Sequence, residues 1–108
     1  DAPGTARAID ELGLKGKVFT AGTGMPAANA QILKDGSVSA LTLWDPANAG
    51  YAMASLATKI LRGDTVEDGV NLGVEGYENM HFSPGSTKVL EGNGWLKITQ
   101  DNVDSLGF

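Results

Sequence analysis

Residues 39–64 read SALTLWDPANAGYAMASLATKILRGD. The first six are a short apolar run, the pattern of a buried strand. Asp45 and Pro46 then stop it and start a helix. An aspartate is a favoured N-cap, and proline suits the first helical turn because the N–H it lacks would be unpaired there anyway. Ala49, Ala52, Met53, Leu56, Ala57, Ile60 and Leu61 fall on one stripe at helical spacing. Gly63 ends the helix, since a left-handed C-terminal residue is easiest without a β-carbon.

The same alternation continues upstream. KVFTA (17–21) is predicted as a strand, and GTGMPAANAQILKDG (22–36) as a turn and helix stopped by Gly36, with Ala28, Ile32 and Leu33 on one side. In DAPGTARAIDELGLKG (1–16), Pro3 and Gly4 read as a loop. Thr5 is expected to cap a short helix carrying Ala6, Ile9 and Leu12, which ends at Gly13 or Gly16. Helix, strand, helix, strand, helix is the order of a parallel α/β layer with right-handed crossovers. Two parallel strands are few for such a sheet, and DAPGT resembles the loop after a further strand. The expectation is a carboxy-terminal portion of a larger α/β protein.

Downstream the character changes, and the sequence divides into an α/β portion (1–63) and an irregular remainder (64–108). Residues 64–86 are glycine-rich and polar, with no helical period. TKVLEGNGWLKIT (87–99) reads as a hairpin around Glu91-Gly92-Asn93-Gly94, and QDNVDSLGF (100–108) as a final turn or short helix.

Composition narrows the function classes. The 108 residues suffice for one small domain, and the net charge of −5 gives no basic footprint for nucleic acid or anionic membrane. No apolar run approaches the roughly 20 residues of a membrane span. The absence of cysteine excludes disulfides, thiol catalysis and zinc–thiolate sites. Starting at Asp1 without Met or an apolar leader, the sequence reads as a processed form or a piece of something longer.

In open α/β sheets ligands bind at the carboxyl ends of strands. Ala21 to Pro26 and Trp44 to Pro46 meet that condition, as does Asp1 to Thr5 if a strand precedes it, and parallel neighbours would set all three at one edge. Gly22-x-Gly24-x-x-Ala27 has the spacing of a dinucleotide-binding turn, and Asp45 follows about 20 residues on, where an acid can hold a ribose hydroxyl. Against that reading, Pro26 removes an N–H where a phosphate would sit, and helix capping already accounts for Asp45. Trp44 is the informative residue. An indole at a strand end offers a face to the C–H side of a pyranose, although a tryptophan there can equally close the sheet as core. Asp1 is either a ragged terminus or an acceptor. His81 has no acid or serine at a recognisable spacing and reads as a surface residue. Ser83 and Ser86 read as turn residues. Asp64, Glu67 and Asp68 lack calcium-loop spacing, and nothing flanking Glu75 and Glu78 marks them as a carboxylate pair.

Residues 39–64 resemble the last strand and long helix of the periplasmic sugar-binding proteins of ABC importers. These share a two-lobed fold with ribose-binding protein and the effector domains of LacI-type repressors. The ending HFSPGSTKVLEGNGWLKITQDNVDSLGF (81–108) is similar to the subgroup that holds autoinducer-2-binding and rhamnose-binding proteins. The resemblance implies a Rossmann-like parallel-sheet lobe and a β-hairpin tail near the hinge. It implies non-covalent capture of a sugar, rhamnose or a related sugar or an autoinducer-2-like ligand, by lobe closure. Carried over, the ligand contacts fall on Asp1, Pro3, Thr5, Gly22, Thr23 and Trp44, with Asp45 adjacent, and Thr5, Thr23 and Trp44 would share one rim. TAGTGMP (20–26) lacks the aspartate of ribose-binding relatives, and Trp44 stands where they often have glutamine. The implied partners are the sugar, the preceding part of the same protein and an ABC permease, in the periplasm. No enzymatic activity, cofactor, metal, nucleic acid or membrane insertion is expected. The alternatives are a fragment of an NAD-binding oxidoreductase and the effector domain of a LacI-type regulator.

Overall fold

A computed structural model describes residues 1–108. The elements in chain order are α1 (Ala2–Glu11), β1 (Ala21–Thr23), α2 (Pro26–Lys34), β2 (Ala40–Trp44), α3 (Pro46–Arg62), β3 (His81–Phe82), β4 (Leu90–Glu91), β5 (Trp95–Ile98) and a 3₁₀ turn at Val103–Ser105. The chain packs as two compact units. One comprises Asp1–Leu43 with Leu96–Phe108 and the other Trp44–Trp95. Packing thus groups the chain differently from the stretches 1–63 and 64–108 that sequence character separates.

In the first unit β1 and β2 run parallel, with Ala21 opposite Ala40 and Thr23 opposite Thr42. The sheet order is β1-β2-β5. The parallel β1–β2 pair between helices is the α/β layer expected, with two corrections at its start. The apolar KVFTA segment is not the strand. Lys17 and Val18 donate their N–H groups to the Leu14 carbonyl in a turn, Phe19 is 75% exposed, and pairing begins where Ser39 N–H donates to the Thr20 carbonyl. The pairing partner, not local hydrophobicity, sets the strand's position. Nor does Thr5 cap α1. Asp1 occupies the N-cap, Pro3 lies in the first turn, and the Thr5 hydroxyl bonds the Asp1 carbonyl at 3.2 Å.

β2 is covered on one face only. Leu41 and Leu43 are buried while Thr42 and Trp44 are exposed, the two-residue alternation of a half-buried strand. The core of this unit joins Ala2, Ala6, Leu33, Val38, Leu41 and Leu43 to Ile98 and Val103 from the end of the chain. Along α2 the inward residues are Pro26, Asn29 and Leu33, so Ala28 faces outward, contrary to expectation. The tail docks on α2. Phe108 gives its carbonyl to Ala27 N–H at 3.2 Å, and Lys34 pairs with Asp104 at 2.6 Å.

In the second unit α3 forms as its sequence dictates. The Asp45 carboxylate accepts from Ala47 N–H (2.7 Å) and Asn48 N–H (3.3 Å), and Gly63 ends the helix at φ +81°. Its apolar stripe, however, is largely uncovered. Ala52 is buried and Leu56 half-buried against Val70, Leu72, Val74, Tyr77, Met80 and Leu90, whereas Met53, Ile60 and Leu61 are exposed. The expected hairpin around Glu91–Gly94 does not form. β4 pairs antiparallel with β3, His81 opposite Glu91 and Phe82 opposite Leu90, while β5 joins the sheet of β1 and β2. The tail thus contains a hairpin, with its turn at residues 83–89. The Ser83 hydroxyl bonds the Glu91 carboxylate across it.

Candidate sugar-contact residues

The first unit brings together some of the expected contact residues. Asp1 and Pro3 lie at the start of α1. Gly22 approaches that helix end so closely that a β-carbon on it would stand 3.5 Å from the Ala2 β-carbon. Gly22 and Thr23 belong to β1 itself, not to the turn after it. Thr23 is exposed, as is its register partner Thr42, whose hydroxyl reaches the Gly22 carbonyl at 3.4 Å. Thr42 escaped the sequence reading because SALTLW looked uniformly buried. The alternation within β2 is the signal that finds it.

The glycine spacing has a packing explanation. A β-carbon on Gly24 would meet the Asn29 amide nitrogen at 2.8 Å. That buried amide donates to the Met25 carbonyl at 2.8 Å, so Gly24 makes room for a side chain bracing the α2 entry. The α2 start is also poorly equipped for a pyrophosphate, because Pro26 has no N–H and Ala27 spends its own on Phe108.

Trp44 and Asp45 belong to the second unit. Asp45 is committed to capping α3. Trp44 is 42% exposed on this chain, at the end of β2. Its ring meets that of Trp95 edge to face, with centroids 5.3 Å apart and planes at 83°. Trp95 is itself 57% exposed, and sequence reading gave it no role.

Elsewhere in this unit His81 has the acidic partner its sequence neighbourhood did not reveal. Its Nδ1 lies 2.9 Å from Asp68 Oδ2 and its Nε2 lies 2.8 Å from Asn79 Nδ2. Asp68 also accepts from Phe82 N–H at 2.7 Å. The hydrogen bonds from His81 and then Phe82 hold the Asp68 carboxyl below its ordinary range. The cluster is exposed and ties residue 68 to β3. A surface hollow of ≈ 350 Å³ along α3 is lined by Tyr51, Ser55, Thr58, Lys59, Arg62 and Asp64. Its two cations stand in the last helical turn, where they complement the helix dipole.

A family model described as a periplasmic binding protein domain matches residues 1–65, more than half the chain. The chain belongs to the periplasmic binding protein family. Among solved structures, this binding-protein chain is similar to a sugar ABC transporter from Actinomyces odontolyticus ATCC 17982. Identity is 30% and the TM-score 0.75, over 99% of this chain and 34% of that one. It shares its fold with LsrB from Clostridium saccharobutylicum in complex with AI-2. There identity is 23% and the TM-score 0.67, over 99% of this chain and 37% of that one. The chain therefore spans about a third of the length of these structures. No curated protein sequence matches it significantly. No helix is long and apolar enough to cross a membrane.

Proposed function

We propose that this chain is part of the solute-binding component of a carbohydrate ABC importer, capturing a sugar without covalent chemistry. Trp44 carries the reading. A large aromatic side chain left 42% exposed at the carboxyl end of a strand in an α/β fold is suited to stack on the apolar face of a sugar ring. Asp1, Pro3, Thr5, Gly22 and Thr23, with Asp45 beside Trp44, are the further contacts proposed. Their polar groups would take the ligand's hydroxyls. The ligand class proposed is rhamnose, a related sugar or an autoinducer-2-like furanosyl compound. The names of the two similar structures, one a sugar transporter and one an AI-2 complex, support that class. Binding would close two lobes about a hinge and present a surface to a membrane permease in the periplasm.

The test is a calorimetric panel of L-rhamnose, D-ribose and autoinducer-2 on a protein joining this chain to the other two thirds of a binding protein's length. Saturable one-to-one binding of one of them supports the proposal. Saturable binding of NADH with none of the three contradicts it.

A further inference from the structure

We propose that Trp95 is a positioning residue that holds the Trp44 indole in its ligand-stacking orientation, an inference that rests on the sugar-binding reading of Trp44. The two tryptophans are the first and last residues of the second unit, and the only tryptophans in the chain. Burial does not account for their pairing, because both are about half exposed. An indole on an exposed strand end samples several rotamers, and ordering it on ligand binding weakens affinity. The Trp95 ring removes that freedom. At 5.3 Å and 83° the pair has the edge-to-face geometry that aromatic quadrupoles favour.

Trp95 is able to act as a brace because its own backbone is fixed. Asn93 N–H donates to the Gly76 carbonyl at 2.8 Å. A β-carbon on Gly94 would meet the Tyr77 ring at 2.8 Å, and one on Gly92 would meet the Met80 sulfur at 2.7 Å. The segment leading into Trp95 is thus clamped flat against Gly76 and Tyr77. Constraint passes from that clamp to Trp95 and from Trp95 to Trp44.

The experiment compares W44A, W95A, W95F and the W44A/W95A double variant in the complete binding protein. Affinities for L-rhamnose, D-ribose and autoinducer-2 are measured by calorimetry, and Trp44 mobility by time-resolved fluorescence anisotropy without ligand. W95A is expected to weaken binding about threefold to tenfold. W95F, which keeps an aromatic ring, should restore most of the loss. In the W44A background W95A should cost nothing more, because Trp95 acts only through Trp44. A fast depolarising component should appear for Trp44 in W95A and be small in W95F. Equal Trp44 mobility in those two variants would overturn the inference. A further loss from W95A in the W44A background would overturn it too, by making Trp95 a direct contact. If W44A itself binds like wild type, or none of the three probes binds, the sugar-binding reading is what fails. The anisotropy comparison then still decides whether Trp95 orders Trp44.

Discussion

The α-carbon of Gly94 stands 2.5 Å from the point a β-carbon on Gly76 would occupy, and Gly76 has φ +84°. Two backbone segments cross here with no space for a side chain between them. The crossing explains why Gly92-Asn93-Gly94 is not a hairpin turn: its glycines serve close approach, beneath Tyr77.

Gly76→Ala should therefore be among the most damaging small substitutions in the chain. A left-handed conformation and a backbone clash together cost about 2–5 kcal/mol. Gly85→Ala is the control, with φ +77° but open space around it, and should cost only about 1–2 kcal/mol. Urea unfolding of both variants checks the difference. Equal losses would mean that the close approach does not matter.

Asp68 gives an acid-side prediction. Its folded pKa lies below the ordinary 3.8, through the hydrogen bond from His81 and then that from Phe82. A depressed carboxylate contributes stability that is fully present above the unfolded pKa and is lost as pH falls through the folded one. Wild type should melt above Asp68→Asn at neutral pH, and the gap should narrow below about pH 4. A gap that stays constant down to pH 2 would mean that the hydrogen bonds at Asp68 do not favour its charged form.

Met53, Ile60 and Leu61 lie 69%, 59% and 88% exposed along α3. Contiguous exposed apolar residues promote association. At micromolar concentration the isolated chain should scatter light as more than its 11.2 kDa monomer. An I60K/L61K variant should shift it toward that mass. Strictly monomeric wild type would show that this face needs no cover.

How much was legible in the sequence follows from the range of the forces involved. α3 was readable end to end, because Asp45, Pro46 and Gly63 act within one turn of their own position. The helix α1 is legible but its start is not, because Asp1 takes the N-cap that Thr5 is equally suited to fill. β1 was displaced because its location depends on pairing with residues 40–42, which no local pattern encodes. The α3 stripe marked a face that needs covering, but the second unit covers only the line through Ala52 and Leu56. Trp44 could be singled out by its place at a strand end. Trp95 could not, since its contact with Trp44 arises only when residues 44 and 95 meet in space. The Asp68–His81 pair was hidden for the same reason, its members lying thirteen positions apart in irregular chain.

The central claim is that Trp44 stacks on a sugar. Its most direct test is a calorimetric titration of the complete binding protein and its Trp44→Ala variant, with whichever of L-rhamnose, D-ribose or autoinducer-2 binds wild type. Loss of a stacking face of this size should weaken binding by about tenfold or more, with the melting temperature little changed. Unchanged affinity in Trp44→Ala would contradict the account.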